Sequence, residues 1–227
     1  MAPRTSCDIT REIDIALKNG TYLYKAPSVN YKGVVEGAYY TEIIANHLLD
    51  VCFREYLSNI QELPRTLGYK GEHNTNGRSP KSNRHEELFA SQLDGKQLKG
   101  LGKVKDYQVP LKPHRTAKYS GIGKIDIVTT DVVYIVELKY GQNTETLLRA
   151  VLEIAYYYQW LGKASFLDDF VLPSGQRIKK AVLLGGGTRS LAEAKDIANR
   201  PWLKELIKQL AVDVFSINDN EVKLLIP

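Results

Sequence analysis

The chain has 227 residues, of which 43% are hydrophobic and 25% are charged, as in an ordinary globular protein that can bury a substantial core. Its 31 lysines and arginines exceed its 26 aspartates and glutamates, and the formal charge of +5 permits a polyanionic partner without requiring one. Cys7 and Cys52 stand far apart in no metal-ligand spacing, which argues against a disulfide scaffold and favours a reducing compartment. The polar N-terminus and the lack of a long apolar run predict a cytoplasmic protein with no membrane span.

The first part of the chain, residues 1–69, is predicted to be a helical region. The segment "EGAYYTEIIANHLLDVCFREYLSNIQEL" repeats apolar residues at helical spacing up to Val51, and His47 lies within that stripe, which predicts a semi-buried histidine rather than a ligand. Residues 70–82 are rich in Gly, Asn, Ser and basic residues, which is typical of a flexible loop. A third region, 83–227, then holds the remaining elements.

The third region alternates between helical and extended patterns. "NRHEELFASQL" predicts a helix, "VKDYQVPLK" and the two halves of "KIDIVTTDVVYIVELKY" predict three strands, and "TETLLRAVLEIAYYYQWLGKA" predicts a long helix. "RIKKAVLLGGG" predicts a strand, "SLAEAKDIANRPWLKELIKQLA" a broken helix, and "VDVFSI" and "EVKLLIP" closing strands. This order predicts an α/β protein with a mixed sheet and helices on both faces.

Three charged residues, Asp126, Glu137 and Lys139, interrupt the apolar hairpin. Side chains alternate along a strand, so Glu137 and Lys139 share one face. A four-residue loop at 130–133 would set Asp126 directly opposite Glu137, and a two-residue turn would keep it on the same face. A three-residue turn would move it to the other face.

The chemistry of this trio suggests a metal site. Two neighbouring carboxylates repel each other and resist burial unless a cation lies between them, and Mg²⁺ or Mn²⁺ prefers such oxygen ligands. Lys139 would then face a metal-bound water or a phosphate, which predicts attack of water on a phosphodiester. The alternative is a surface ion-pair network, with Lys124 across from Glu137 in the two-residue register.

A third acid is predicted to come from the helix that begins near residue 85. Glu86 heads the apolar stripe of that helix and therefore faces the sheet, whereas Glu87 leads into an exposed face. The alternative for Glu86 is a capping box with Asn83.

Basic residues are concentrated along the approach to Asp126, in "KVKDYQVPLKPHRTAKYSGIGK". Such a margin beside an acidic centre suits a nucleic acid, because phosphate contacts supply most of the non-specific affinity. The predicted contacts are Lys112, Arg115, Lys118 and Lys124, together with Arg84 from the preceding loop. A solvated loop is the alternative.

The helical glutamate, "YQVPLK", "GKID", "VELK" and the helix that follows together resemble the PD-(D/E)xK nuclease superfamily, in particular its RecB-like branch, over residues 83–185. This resemblance implies a three-layer restriction-endonuclease-like core with a mixed central sheet flanked by helices, plus an N-terminal helical extension. It implies that Asp126 and Glu137 bind the metal, that Lys139 is the catalytic lysine, and that the helical glutamate is Glu86 or Glu87. Ile125 stands where the family pattern has proline.

We therefore expect a Mg²⁺- or Mn²⁺-dependent nuclease, with DNA favoured over RNA as the substrate. Relatives often carry a polar residue on the helix after the lysine strand, and Glu153 is the candidate here. The helical wheel instead favours a surface ion pair between Arg149 and Glu153. The rival function is that of a non-catalytic nucleic-acid-binding or scaffold protein on the same fold.

Overall fold

A computed structural model of the protein describes residues 4–65, 67–70, 73, 85–113, 121–219 and 221–227. In these ranges the α-helices are α1 (Ser6–Lys18), α2 (Tyr40–Asp50), α3 (Phe53–Ser58), α4 (His85–Leu93), α5 (Leu147–Trp160), α6 (Lys163–Asp169), α7 (Arg189–Lys195) and α8 (Pro201–Gln209). The strands are β1 (Val34–Val35), β2 (Ala38–Tyr39), β3 (Gln97–Leu98), β4 (Gly102–Pro110), β5 (Lys124–Thr129), β6 (Tyr134–Lys139), β7 (Lys179–Gly185), β8 (Val212–Asn218) and β9 (Glu221–Ile226). No helix of this described part is both long and apolar enough to cross a membrane.

Strands β3 to β9 form one mixed sheet in which neighbours in sequence are neighbours in space. β3 to β6 pair antiparallel, the crossover through α5 makes β7 parallel to β6, β8 is parallel to β7, and β9 returns antiparallel. The predicted order of helix, three strands, helix, strand, helix and strand is therefore confirmed, as is the mixed sheet. The short α6 and β3 and the small β1–β2 hairpin were not predicted.

Helices cover both faces of the sheet at β6, and every side chain of this strand is therefore buried. Ile135 packs with residues of α5 in the larger core, while Val136 and Leu138 pack with Ala90 and Leu93 of α4 in a smaller core. The chain is thus an α/β protein with a sheet between helices, and α4 and α5 lie on opposite sides of β6.

The described residues of the N-terminal region, 4–65 and 67–69, contribute to the larger core, in which α1 and α2 place Ile9, Ile13, Ile44 and Leu48. The long helix predicted there is wrong in one respect. The helix ends at Asp50 because Cys52 adopts a left-handed φ of 53°, and a separate helix, α3, begins at the next residue. Val51, which was expected on the buried face, is exposed at this break. The proposed division at residues 69 and 83 stays a prediction, since most of 70–82 lies outside the described residues.

Candidate active site

The register of the β5–β6 hairpin places Asp126 directly opposite Glu137. Ile127 pairs with Val136 and Val128 pairs with Ile135, and residues 130–133 form the connection. Thr129 shapes this loop, since its hydroxyl donates to the carbonyl of Val132 at 2.9 Å and accepts from the Tyr134 amide at 3.2 Å. The four-residue geometry is therefore confirmed, and the register that would set Lys124 against Glu137 is excluded.

Asp126 is held by donors from both neighbouring strands. Its Oδ1 accepts from Gln108 Nε2 at 2.7 Å, and its Oδ2 accepts from the Leu138 amide at 2.8 Å. Gln108 lies across from Asp126 on β4, and its backbone takes a φ of 50°. Burial raises the pKa of Asp126 to about 7, although Lys139 and the Leu138 amide oppose that rise.

Glu137 and Lys139 form a buried ion pair on the same face of β6, with Lys139 Nζ 2.7 Å from Glu137 Oε1. Burial raises the pKa of Glu137 well above its usual value. Burial alone would lower the pKa of Lys139, but the surrounding carboxylates, Glu137 foremost, outweigh it and raise that pKa well above its usual value.

Two further carboxylates surround the ammonium group of Lys139. Glu145 Oε2 lies 2.6 Å from Nζ and Glu153 Oε2 lies 3.5 Å from it. The predicted surface pair between Arg149 and Glu153 is wrong, because Arg149 Nη2 contacts Glu145 Oε1 at 3.0 Å while Glu153 accepts from the Tyr157 hydroxyl at 2.7 Å. Glu153 lies instead on the side of α5 that faces β6, where local periodicity had placed only the apolar stripe.

Glu86 reaches the end of β6 from α4, as predicted. Its Oε1 accepts from the Tyr140 amide at 3.2 Å and from Asn143 Nδ2 at 2.7 Å, and burial raises its pKa. The prediction that Glu87 lies on an exposed face is wrong. Glu87 is only 8% exposed, because α4 turns Glu87, Ala90 and Leu93 together inward. Asn83, the partner in the alternative capping box, lies outside the described residues.

Of the five predicted nucleic-acid contacts, the structure describes two. Lys124 is exposed at the start of β5, where it pairs with Pro110, and Lys112 is half-buried. Arg84, Arg115 and Lys118 lie outside the described residues. The nucleic-acid contacts therefore stay a prediction.

Sequence reasoning missed three residues of this site, namely Gln108, Asn143 and Glu145. Gln108 lies opposite Asp126 because β4 pairs with β5, but nothing in the sequence around this glutamine indicates a role at the site. Glu145 precedes Arg149 by four residues, a spacing that favours an ion pair on a helix, and Asn143 Oδ1 accepts from the Glu145 amide at 2.7 Å. These contacts hold Glu145 beside Lys139.

A cavity of about 640 Å³ opens beside Asp126. Its described lining residues are His85, Glu86, Glu87, Gln108, Asp126, Tyr140, Gln142 and Asn143. Three of these are acids and none is a lysine or arginine. A phosphate would therefore meet negative charge here unless a cation accompanied it.

The donor chemistry of the site fits a hard divalent cation. Asp126, Glu137, Glu86, Glu145 and Glu153 supply five carboxylates, against which Lys139 and Arg149 supply two cations. Within the residues that the structure describes, however, no group of three or more acidic, histidine or cysteine side chains converges as a metal site. Glu137 Oε1 is instead turned towards Lys139.

A comparison of the chain with protein-family models, with curated proteins and with solved structures found no match.

Proposed function

We propose that the protein is a metal-dependent nuclease that hydrolyses phosphodiester bonds, with DNA as the favoured substrate. One arrangement carries the proposal: Asp126 faces Glu137 across the hairpin, and the ammonium group of Lys139 is 2.7 Å from Glu137. The antiparallel strands β4, β5 and β6, followed by α5 and then by β7 parallel to β6, also support the resemblance to the restriction-endonuclease-like core of the PD-(D/E)xK superfamily.

Mg²⁺ or Mn²⁺ would be held by Asp126 and Glu137, with Glu86 on the cavity wall, and would supply Lewis-acid stabilisation of the charge on the phosphoryl oxygens. Glu137 must turn from Lys139 to take part. Lys139 would keep its contact with Glu145, at 2.6 Å, so that its ammonium group stays in place to position the attacking water.

The acidic lining of the cavity supports a requirement for the cation. A phosphodiester carries a negative charge, and Asp126, Glu86 and Glu87 all face the space that it would enter. A divalent ion would offset this repulsion and favour the ionised form of Asp126, whose pKa of about 7 leaves it partly protonated near neutral pH.

A non-catalytic nucleic-acid-binding or scaffold protein on the same fold is the second candidate. It is favoured by the ion pair between Glu137 and Lys139, in which the two side chains already satisfy each other without a metal. Such a protein would bind nucleic acid without cleaving it under any metal condition.

Cleavage assays with Asp126→Asn test the proposal. The variant keeps the shape of the side chain, and the Gln108 amide can turn to exchange its donor for its acceptor, so the fold should survive. Asp131→Asn is the matched control, because Asp131 belongs to the same hairpin but is exposed, and its side chain accepts one hydrogen bond among the described residues, from Gln97 Nε2 at 3.0 Å.

The substrates are plasmid DNA, single-stranded DNA and RNA, each with Mg²⁺, with Mn²⁺ or with chelator. We expect metal-dependent cleavage by the native protein and by Asp131→Asn, and a loss of about 100-fold or more in Asp126→Asn. Cleavage at the native rate by Asp126→Asn, or binding without cleavage of every substrate, would overturn the proposal.

A further inference from the structure

A second group of charged side chains lies at the other end of α5, around Lys180 on β7. Lys180 pairs with Ile135, whereas Leu184 pairs with Lys139, so Lys180 shares the sheet face of Lys139. Four residues along a strand correspond to about 13 Å, which separates Lys180 from the level of the candidate active site.

Four cations make up this group, which we call the basic cluster: Lys180 and the three whose charges act on it, Arg54, Lys163 and Arg177. The two lysines flank one aromatic ring, since Lys180 Nζ lies 4.5 Å and Lys163 Nζ lies 4.8 Å from the centre of the Tyr158 ring. Arg54 on α3 and Arg177 before β7 are exposed, whereas Lys180 and Tyr158 are half-buried. The cluster thus has a partly enclosed centre and an open rim.

The positive charge of the basic cluster is poorly balanced. Among the described residues, Arg54, Arg177 and Lys180 take part in no ion pair, and Lys163 alone contacts a carboxylate, Glu62 Oε1 at 2.9 Å. Burial, reinforced by the three neighbouring cations, lowers the pKa of Lys180 to about 8. An ordinary solvated lysine would not meet this repulsion.

The adjacent residue, Lys179, shows the contrast. It points to the other face of the sheet, where its Nζ lies 3.7 Å from Asp213 Oδ2 and 5.3 Å from the centre of the Tyr134 ring. Lys179 therefore has both an aromatic ring and a carboxylate, whereas the described part of the chain gives Lys180 a ring and no carboxylate partner.

We propose that the basic cluster binds a phosphate group, with Lys180 at its centre and Arg54, Lys163 and Arg177 around it. Four cations against one carboxylate, counted over the described residues, favour a multiply charged anion, and the oxygens of phosphate can accept from several ammonium and guanidinium donors at once. The phosphate can belong to a small phosphate ester or to a nucleic-acid backbone. The proposal does not depend on the nuclease function.

Lys180→Met tests the proposal and Lys179→Met is its matched control. Methionine keeps an unbranched apolar stem against Tyr158 and removes only the charge. The Lys180→Met protein should be at least as stable as the native protein at pH 7, so a loss of binding would not reflect unfolding. Both variants also lower the net charge equally.

The probes are inorganic phosphate, measured by thermal shift against sodium chloride at matched ionic strength, and a fluorescein-labelled DNA oligonucleotide, measured by anisotropy in chelator. We expect the affinity of at least one probe for Lys180→Met to be about tenfold lower than its affinity for the native protein and for Lys179→Met. A loss with both probes identifies a site for free phosphate, and a loss with the oligonucleotide alone identifies a contact for the backbone. Equal binding by the two variants to both probes would overturn the proposal.

Discussion

Asp126 on β5 lies directly opposite Glu137 on β6, and the side chain of Asp126 also accepts a hydrogen bond from the backbone of the next residue, Leu138, at 2.8 Å. Two carboxylates therefore meet at one point of a largely buried sheet. Lys139 neutralises only part of this charge, because Glu145 and Glu153 also surround its ammonium group. Such an arrangement stores unfavourable electrostatic energy that a divalent cation would relieve.

The first prediction concerns stability without metal. Asp126→Asn removes one of the crowded carboxylates, so in chelator at pH 8 we expect this variant to unfold at a higher temperature than the native protein. Asp131→Asn, which changes an exposed aspartate of the same hairpin, should leave the midpoint nearly unchanged. If Asp126→Asn unfolds at a lower temperature than the native protein and Asp131→Asn, the folded state does not disfavour the charged form of Asp126.

The second prediction concerns the pH dependence of metal binding. Protons and metal compete for Asp126, and its pKa of about 7 in the metal-free protein means that the group becomes protonated as the pH falls through 7. The increase in melting temperature caused by Mn²⁺ should therefore be large at pH 8 and should shrink as the pH falls from 8 to 6. An increase that is the same at pH 6 and pH 8 would exclude this linkage.

The third prediction concerns the buried ion pair. Lys139→Met leaves Glu137, Glu145 and Glu153 without their shared cation, and removal of one partner of a buried pair costs about 3–5 kcal/mol. Denaturant unfolding should show this decrease in the free energy of unfolding. The decrease should be smaller in the double variant Glu137→Gln/Lys139→Met, because that variant has one unpaired carboxylate fewer. Lys179→Met, which breaks a more exposed pair with Asp213, should cost about 1 kcal/mol or less. A double variant as unstable as Lys139→Met alone would contradict this account.

The fourth prediction concerns the pKa of Lys180. The charges that act on this lysine are the cations Arg54, Lys163 and Arg177, of which Lys163 forms an ion pair with Glu62. Its pKa is about 8 in the folded protein and near 10.5 in the unfolded chain, so the folded state disfavours the charged form. The penalty is fully present below pH 8 and is relieved as the pH rises from 8 through 10.5. The native protein should therefore gain stability relative to Lys180→Met across that window, and a constant difference between the two would refute the lowered pKa.

Much of the fold could be predicted because period-two and helical patterns are local properties of the sequence. The opposition of Asp126 and Glu137 followed from strand alternation once a four-residue loop was considered, and Lys139 followed from its two-residue spacing. These predictions needed no knowledge of distant parts of the chain.

The errors have two causes, which are packing between segments that are distant in sequence and the short length of one helix. Glu153 was placed on a solvent face because local periodicity cannot show that Lys139 of β6 draws this glutamate towards the sheet. Glu87 was placed outward because a short helix of nine residues defines its buried face poorly. Glu145 was missed because only the folded chain brings it to Lys139.

The most direct test of the central claim is the binding of Mn²⁺ to the metal-free protein, followed by the loss of the free-ion signal in electron paramagnetic resonance. The account predicts saturable binding at pH 8 by the native protein and by Asp131→Asn, and a loss of about tenfold or more in affinity for Asp126→Asn. The same weak binding by all three proteins would contradict a metal centre built on Asp126 and Glu137.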